Sequence, residues 1–300
     1  MTVAPTIAAA TGSESVVRQL ELAVSRRLDG LLQGDHQGLV PGAGSEPAGG
    51  RLYEAGDDVR RMDWNLTARS GAPHVRTTVA ERELETWIVV DGSASLDFGT
   101  ARCQKRDLVL AAAAAFGFLT TGDGNRIAAL EFGPGGIVIR PPRSGRQSVL
   151  ALLHGLERRP PAEAGTASLA DALRRLRLTA RRRGLVVVLS DLVDGSAWER
   201  ELRAVATRHD VVVVEVRDPR EDELPAVGLL SLVDPETGRR LEVQSSNPRL
   251  RARFAETATA RRAEMARSVR AAGAGHLVLS TDRDWLLDIV RYVVARRRRR

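Results

Sequence analysis

Three short stretches hold the residue types that could do chemistry. Thr86-Trp87-Ile88-Val89-Val90 is apolar and β-branched, and it runs into Asp91-Gly92-Ser93-Ala94-Ser95. A run of that kind suits a strand buried on both faces of a parallel sheet. Such a strand delivers one carboxylate and two hydroxyls, at alternate positions, to the loop at its carboxyl end. A second run, Leu185-Val186-Val187-Val188-Leu189, ends in Ser190-Asp191, and between the two Gly165-Thr166 stands just ahead of a helix start. In doubly wound sheets the carboxyl rim is where ligands bind. Hard oxygen donors, with neither thiol nor imidazole among them, suit a hard divalent cation: Mg²⁺, or Mn²⁺ or Ca²⁺. The plainer alternative is that Asp91 and Asp191 cap turns or helix N-termini while the hydroxyls fill hydrogen bonds. Asp194 could substitute for Asp191 or close a turn, and Ser190 is expected to finish its strand.

The elements around these residues predict the sheet that must position them. From Leu84 onward strands and helices alternate, the pattern of βαβ units. Strands are expected at 126–132, 136–140, 185–189, 211–216 and 276–279. Helices are expected near 104–120, 146–157, 168–182, 198–207, 248–272 and 284–294. Ser168 and Asp171 form a capping box at one helix start; Asn247 and Pro248 provide a cap and a first-turn proline at another. The segments 229–233 and 240–243, joined through Asp234-Pro235-Glu236-Thr237-Gly238, read as a hairpin insertion near 225–245. Upstream, residues 1–12 read as disordered, and 13–82 as a helix with Val17, Leu20, Val24, Leu28 and Leu31 on one face, a loop over 34–50, then turns, a short helix and an extended piece around Pro73-His74-Val75. Residues 83–300 form the main domain. The expected class is therefore α/β: a doubly wound, mostly parallel sheet flanked by helices, with an N-terminal helical and irregular segment. No internal repeat is present.

Composition narrows the function. The 300 residues are 43% hydrophobic and 28% charged, an ordinary globular balance. The net charge of +7 is almost wholly arginine, because Lys105 is the only lysine. No P-loop lysine and no Schiff-base lysine exists elsewhere. One cysteine, Cys103, excludes an intrachain disulfide, and the expected compartment is the cytoplasm. The alanine-rich stretch 108–122 is too short and too weakly apolar to span a membrane, so an integral membrane protein is not expected. Arg296 to Arg300 reads as a solvated tail, with contact to an acidic partner, nucleic acid or lipid as the alternative; its field reaches about 8 Å at physiological salt. Aromatics make up only 4%, leaving few stacking platforms, so specific nucleic-acid binding is not expected.

Taken in order, Asp91-x-Ser93-x-Ser95, Thr166 and Asp191 resemble the metal-ion-dependent adhesion site of von Willebrand factor A domains. The resemblance implies a Rossmann-like sheet, Ser93 and Ser95 as direct ligands, Thr166 direct or through water, and Asp91 and Asp191 in the outer sphere. It also implies an open coordination position that a partner's carboxylate fills. A denser likeness lies upstream in Tyr53-Glu54-Ala55-Gly56-Asp57-Asp58-Val59-Arg60-Arg61-Met62-Asp63-Trp64, followed by Ala68-Arg69. This segment resembles the signature of the domain-of-unknown-function 58 family, with Met62 where isoleucine is usual. That resemblance implies association with a MoxR-type AAA+ ATPase and an adaptor or chaperone-like role toward unknown protein clients. Physically, Gly56 before Asp57-Asp58 suits a turn into a helix, with acids at its positive end. Asp63 is placed to pair with Arg60 or Arg69, and Trp64 to pin the segment to the sheet domain; docking or catalysis by Asp63 or Arg69 is the alternative.

A metal-dependent hydrolase using Asp91, phosphatase-like, is the competing function. Such enzymes need a second carboxylate two residues on, and here that position is Ser93. The histidines (His36, His74, His154, His209 and His276) are scattered, with no metal-ligand spacing, and no Gly-x-Ser-x-Gly elbow occurs. The chain is therefore read as a binding module and not as an enzyme.

Overall fold

Apolar strands that can hide both faces need helices on both sides, and the computed structural model of the protein has that arrangement. It describes residues 17, 18, 20, 22, 24, 48–54, 59, 62–77, 84–121, 125–158, 168–193, 195–235 and 237–298. A short antiparallel pair, β1 (Ala48–Leu52) and β2 (His74–Thr77), flanks helix α1 (Trp64–Ser70). The body then runs β3 (Glu85–Asp91), α2 (Lys105–Thr120), β4 (Arg126–Gly133), β5 (Gly136–Ser144), α3 (Arg146–Glu157) and α4 (Leu169–Thr179). It continues through β6 (Gly184–Ser190), α5 (Trp198–Ala206), β7 (Asp210–Arg217), the hairpin β8 (Leu229–Val233) and β9 (Arg240–Gln244), α6 (Pro248–Ala271), β10 (Gly275–Ser280) and α7 (Trp285–Arg297).

The main sheet has six strands in the order β10-β7-β6-β3-β4-β5. All neighbours are parallel except β4 and β5, which close antiparallel. This is the doubly wound α/β class. The chain leaves β3 toward β4 on one side and returns to β6 on the other. The order therefore reverses between β3 and β6, the place where such sheets open a crevice at their carboxyl ends.

Alternation along each strand divides the core in two. Ile88, Val90, Val187 and Leu189 face α2, α3 and α7, and they also share a cluster with Val17, Leu20 and Val24. Trp87, Val89, Val186 and Val188 face α4, α5 and the end of α6. Ala111 to Ala115 of α2 are wholly buried, since small side chains let that helix lie close to the sheet. Gly184 is required where β6 starts, because a Cβ there would collide with the carbonyl oxygen of Glu85.

Helix α6 differs from the others. Its polar start is a true cap, with Asn247 Oδ1 accepting from the amides of Arg249 and Leu250. Yet of the side chains along its 24 residues only Val269 is fully buried. Its middle turns wall a cleft described below.

Candidate functional site

Asp91 is the last residue of β3, 4% exposed, in register with Phe132 of β4. Its Oδ1 accepts from the backbone amide of Ser93 at 2.8 Å, and its Oδ2 from the hydroxyl of Ser190 at 2.6 Å. Ser93 and Ser95 are buried, and their hydroxyl oxygens lie 2.9 Å apart. Ser95 sits in a single 3₁₀ turn, Ala94–Asp97, which folds the second serine back beside the first. Across the switch point, Asp191 follows β6 and is also buried. Leu192 takes φ 57°, a left-handed conformation that costs a non-glycine residue on the order of 1 kcal/mol. That turn lets the amide of Val193 reach Asp191 Oδ1 at 3.1 Å and the amide of Leu192 reach Ser190 Oγ at 3.0 Å.

Lys105, the first residue of α2, is 1% exposed and completes the cluster. Its ammonium donates to Asp191 Oδ2 at 2.7 Å and to Glu221 Oε1 at 2.5 Å. Burial alone pushes this amine down, but the two carboxylates outweigh it and hold it above its ordinary value, so it is charged. For Asp91, burial and then the neighbouring charge of Asp191 raise the carboxyl to about 6, against the lowering effect of Ser190 and Ser93. Two buried acids thus lie near enough to repel, and among the described residues Asp91 has no cationic hydrogen-bond partner.

That unrelieved charge is the test for a metal, and the donor set passes it. Asp91, Ser93, Ser95 and Asp191 are all hard oxygen donors; a hollow of about 50 Å³ beside Asp91 and Ser93 is lined also by Asp97, Arg106 and apolar side chains, and neither Ser95 nor Asp191 lines it. No cluster of three or more His, Cys, Asp or Glu with metal-holding geometry occurs among the described residues, so any cation here depends on the serines. Thr166 and Asp194 lie outside the described residues, as do Gly56, Asp57, Asp58 and Arg60 of the upstream segment.

Within the described part of that segment, Asp63 caps α1, accepting from the amides of Asn65 and Leu66 at 3.1 Å. Trp64 does not pin the segment to the sheet, contrary to expectation: it is the first residue of α1 and 66% exposed. Tyr53 is half-buried and its amide donates to Pro73 O, while Arg69 is exposed in the last turn of α1, where it favours the helix dipole. The basic tail is also not wholly solvated. Arg296 pairs with Asp210 and donates to Tyr292 Oη at 2.6 Å.

Other polar groups at this edge are not apparent from the sequence. Asp218, after β7, is 0% exposed and accepts from the Thr100 amide (2.7 Å), the Thr100 hydroxyl (2.5 Å), the Thr281 hydroxyl (2.6 Å) and the Arg220 amide (2.9 Å). It ties together the loops after β3, β7 and β10. Lys105 does carry a signal: in a chain that writes 45 basic residues with one lysine, that lysine marks a place for a compact ammonium. Its partners, 86 and 116 residues away, carry none.

Beside the cluster lies a cleft between α6 and the sheet edge. One part, of about 330 Å³, is lined by Asp191, Glu221, Phe254, Arg261 and Met265; a second, of about 600 Å³, by Asp222, Glu223, Arg270 and His276. Glu215, Arg217 and Arg262 line both. His276 Nε2 lies 2.8 Å from Glu215, and Arg262 pairs with Asp222.

Comparison with known proteins agrees with the upstream resemblance. The family described as "Protein of unknown function DUF58" matches residues 49–264. An uncharacterized protein of Mycobacterium tuberculosis is 54% identical over 285 residues, covering 95% of this chain and 90% of its own. Among solved structures, the conserved hypothetical protein BatB from Bacteroides thetaiotaomicron aligns with a TM-score of 0.42 at 14% identity, over 72% of this chain and 99% of its own. The SpRpn10 VWA domain aligns with a TM-score of 0.39 at 12% identity, over 70% and 94%.

Proposed function

The chain belongs to the family described as protein of unknown function DUF58, and from that premise we propose that it is a divalent-cation-dependent protein-binding module. The observation that carries the reading is the meeting of Asp91, Ser93 and Ser95 at the end of one strand with Ser190, next to Asp191, at the end of the neighbouring strand. When bound, Mg²⁺ or Mn²⁺ supplies an electrophilic point that attracts an acidic side chain of a partner. Asp91 and the two serines hold that ion, Ser190 and the Ser93 amide orient Asp91, and Thr166 is proposed as a further donor. The partner's remaining surface is received by the adjoining α6 cleft.

The family signature extends the proposal to a cytoplasmic adaptor or chaperone-like partner of a MoxR-type AAA+ ATPase acting on other proteins. No helix among the described residues is long and apolar enough to cross a membrane. Hydrolysis is the weaker reading, because Ser93 stands where a second acid would have to handle the leaving-group proton and Asp191 is engaged by Lys105.

The test is capture of the purified ATPase in Mg²⁺ or EDTA, with Ser93→Ala beside the wild-type chain. Capture that requires Mg²⁺ and fails in the folded variant is expected. Equal capture in all arms rejects the metal bridge.

A further inference from the structure

We propose that Lys105 is the specificity-determining residue of this cation site, a resident ammonium that claims Asp191 and Glu221 and leaves a divalent ion to Asp91 and the serine hydroxyls. The inference rests on the cation-site reading above and assigns a role to a residue which that reading does not use.

The geometry is specific. Lys105 starts α2, and its side chain reaches from there to the loop after β6 and the 3₁₀ turn after β7. Both acids it meets are otherwise addressed. Asp191 Oδ1 takes the Val193 amide, and Glu221 Oε2 takes the Asp218 amide at 3.0 Å. The ammonium is their only cationic contact within 4 Å among the described residues. It is also the only lysine, in a chain that uses arginine everywhere else. A guanidinium is broader and planar, suited to forked pairing, whereas a compact ammonium can sit between two carboxylates that approach from different loops.

Charge then sets the consequence. Asp91, Asp191 and Glu221 bring three negative charges and Lys105 one positive, which leaves two for a divalent ion to neutralise. Without the ammonium the Asp191 charge beside Asp91 would stand uncompensated, and an ion would be held more tightly with less attraction left for a partner. With it, the ion has one carboxylate, Asp91, whose hydrogen bonds among the described residues come from neutral donors, and neutral hydroxyls. Such an ion is retained best when an acid group from another chain joins its shell, so ion and partner bind with positive coupling.

The experiment is calorimetric titration with Mn²⁺ of the full chain and of Asp91→Asn, Asp191→Asn, Lys105→Met and Lys105→Met/Glu221→Gln. Asp91→Asn is expected to weaken Mn²⁺ binding by at least about tenfold, Asp191→Asn by less than about threefold, and Lys105→Met to tighten it by about tenfold. Asp191→Asn as damaging as Asp91→Asn overturns the proposal, because Asp191 would then serve the ion and not the lysine. This arm decides the matter even where the lysine variants do not fold. If the wild type takes no Mn²⁺ but a Lys105 variant does, the ammonium's claim stands and the metal-dependent function falls. If no protein takes Mn²⁺, both fall.

Discussion

Asp91 and Asp218 lie on the same carboxyl edge of one sheet, both out of water, yet their electrostatics run in opposite directions. Burial pushes Asp218 up, but the hydroxyls of Thr100 and Thr281 and the amides of Thr100 and Arg220 outweigh it, and its carboxyl is held below the usual range. Among the described residues Asp91 accepts from Ser190 and Ser93 alone and has Asp191 as a like-charged neighbour; its carboxyl rises to about 6. Burial is the largest single influence on each, and the two part in how far their donors offset it. Asp218 is a finished structural joint between three loops, and Asp91 is a carboxylate still short of positive charge, which is the property a cation site requires.

Substitutions can break or sharpen that contrast. The largest effect is expected from Lys105→Met, which strands Asp191 and Glu221: a loss of about 3–5 kcal/mol in denaturant unfolding, or failure to fold. Asp218→Asn should follow at about 2 kcal/mol, because it weakens charge-assisted bonds to Thr100 and Thr281, and the shift in melting temperature on adding Mn²⁺ should survive it. Asp91→Asn should do the reverse. In EDTA at pH 7 it should be neutral or stabilising by about 1 kcal/mol, and it should abolish the Mn²⁺ shift. A strongly destabilising Asp91→Asn would show that Asp91 is a joint like Asp218.

The pH dependence carries the same sign. The folded carboxyl of Asp91 binds its proton more tightly than the unfolded one, so the native state holds more protons between about 4 and 6. The contribution of this group is therefore greatest below that window and is lost as pH rises through about 6. Unfolding free energies of wild type minus Asp91→Asn should fall across that window in EDTA, and the Mn²⁺-induced gain should grow over the same range. The smallest effect is expected at Trp64→Ala, within about 0.5 kcal/mol, because that indole lies open on α1. A larger loss would mean that the indole is covered in solution.

Much of the sheet is legible because its strands are extreme. β3, β6 and β7 are nearly uninterrupted apolar runs bounded by polar residues, and a strand covered on both faces accommodates them best. The caps at Ser168 and Asn247 are equally plain, since both act within three residues of themselves. Strand β1 is less so, although the extended piece around His74 that it pairs with is legible: Ala48–Leu52 is glycine-rich and reads as loop and turn, and only its pairing with β2, Ala48 with Thr77 and Leu52 with His74, makes it a strand. The antiparallel direction of β5 is likewise invisible in its own residues, being a matter of where the short connection through Pro134 and Gly135 sends the chain.

Locally encoded properties, then, belong to the sequence: the alternation of strand and helix, the carboxylates at two strand ends, the two serines in step with Asp91. Which strand end lies beside which, and hence that Asp91 meets Ser190 and that Lys105 bridges Asp191 and Glu221, is settled only by the folded sheet. The reason is physical. Hydrophobic periodicity and capping act over a few residues, whereas a buried charge finds its counter-charge across whatever distance in sequence the packing closes.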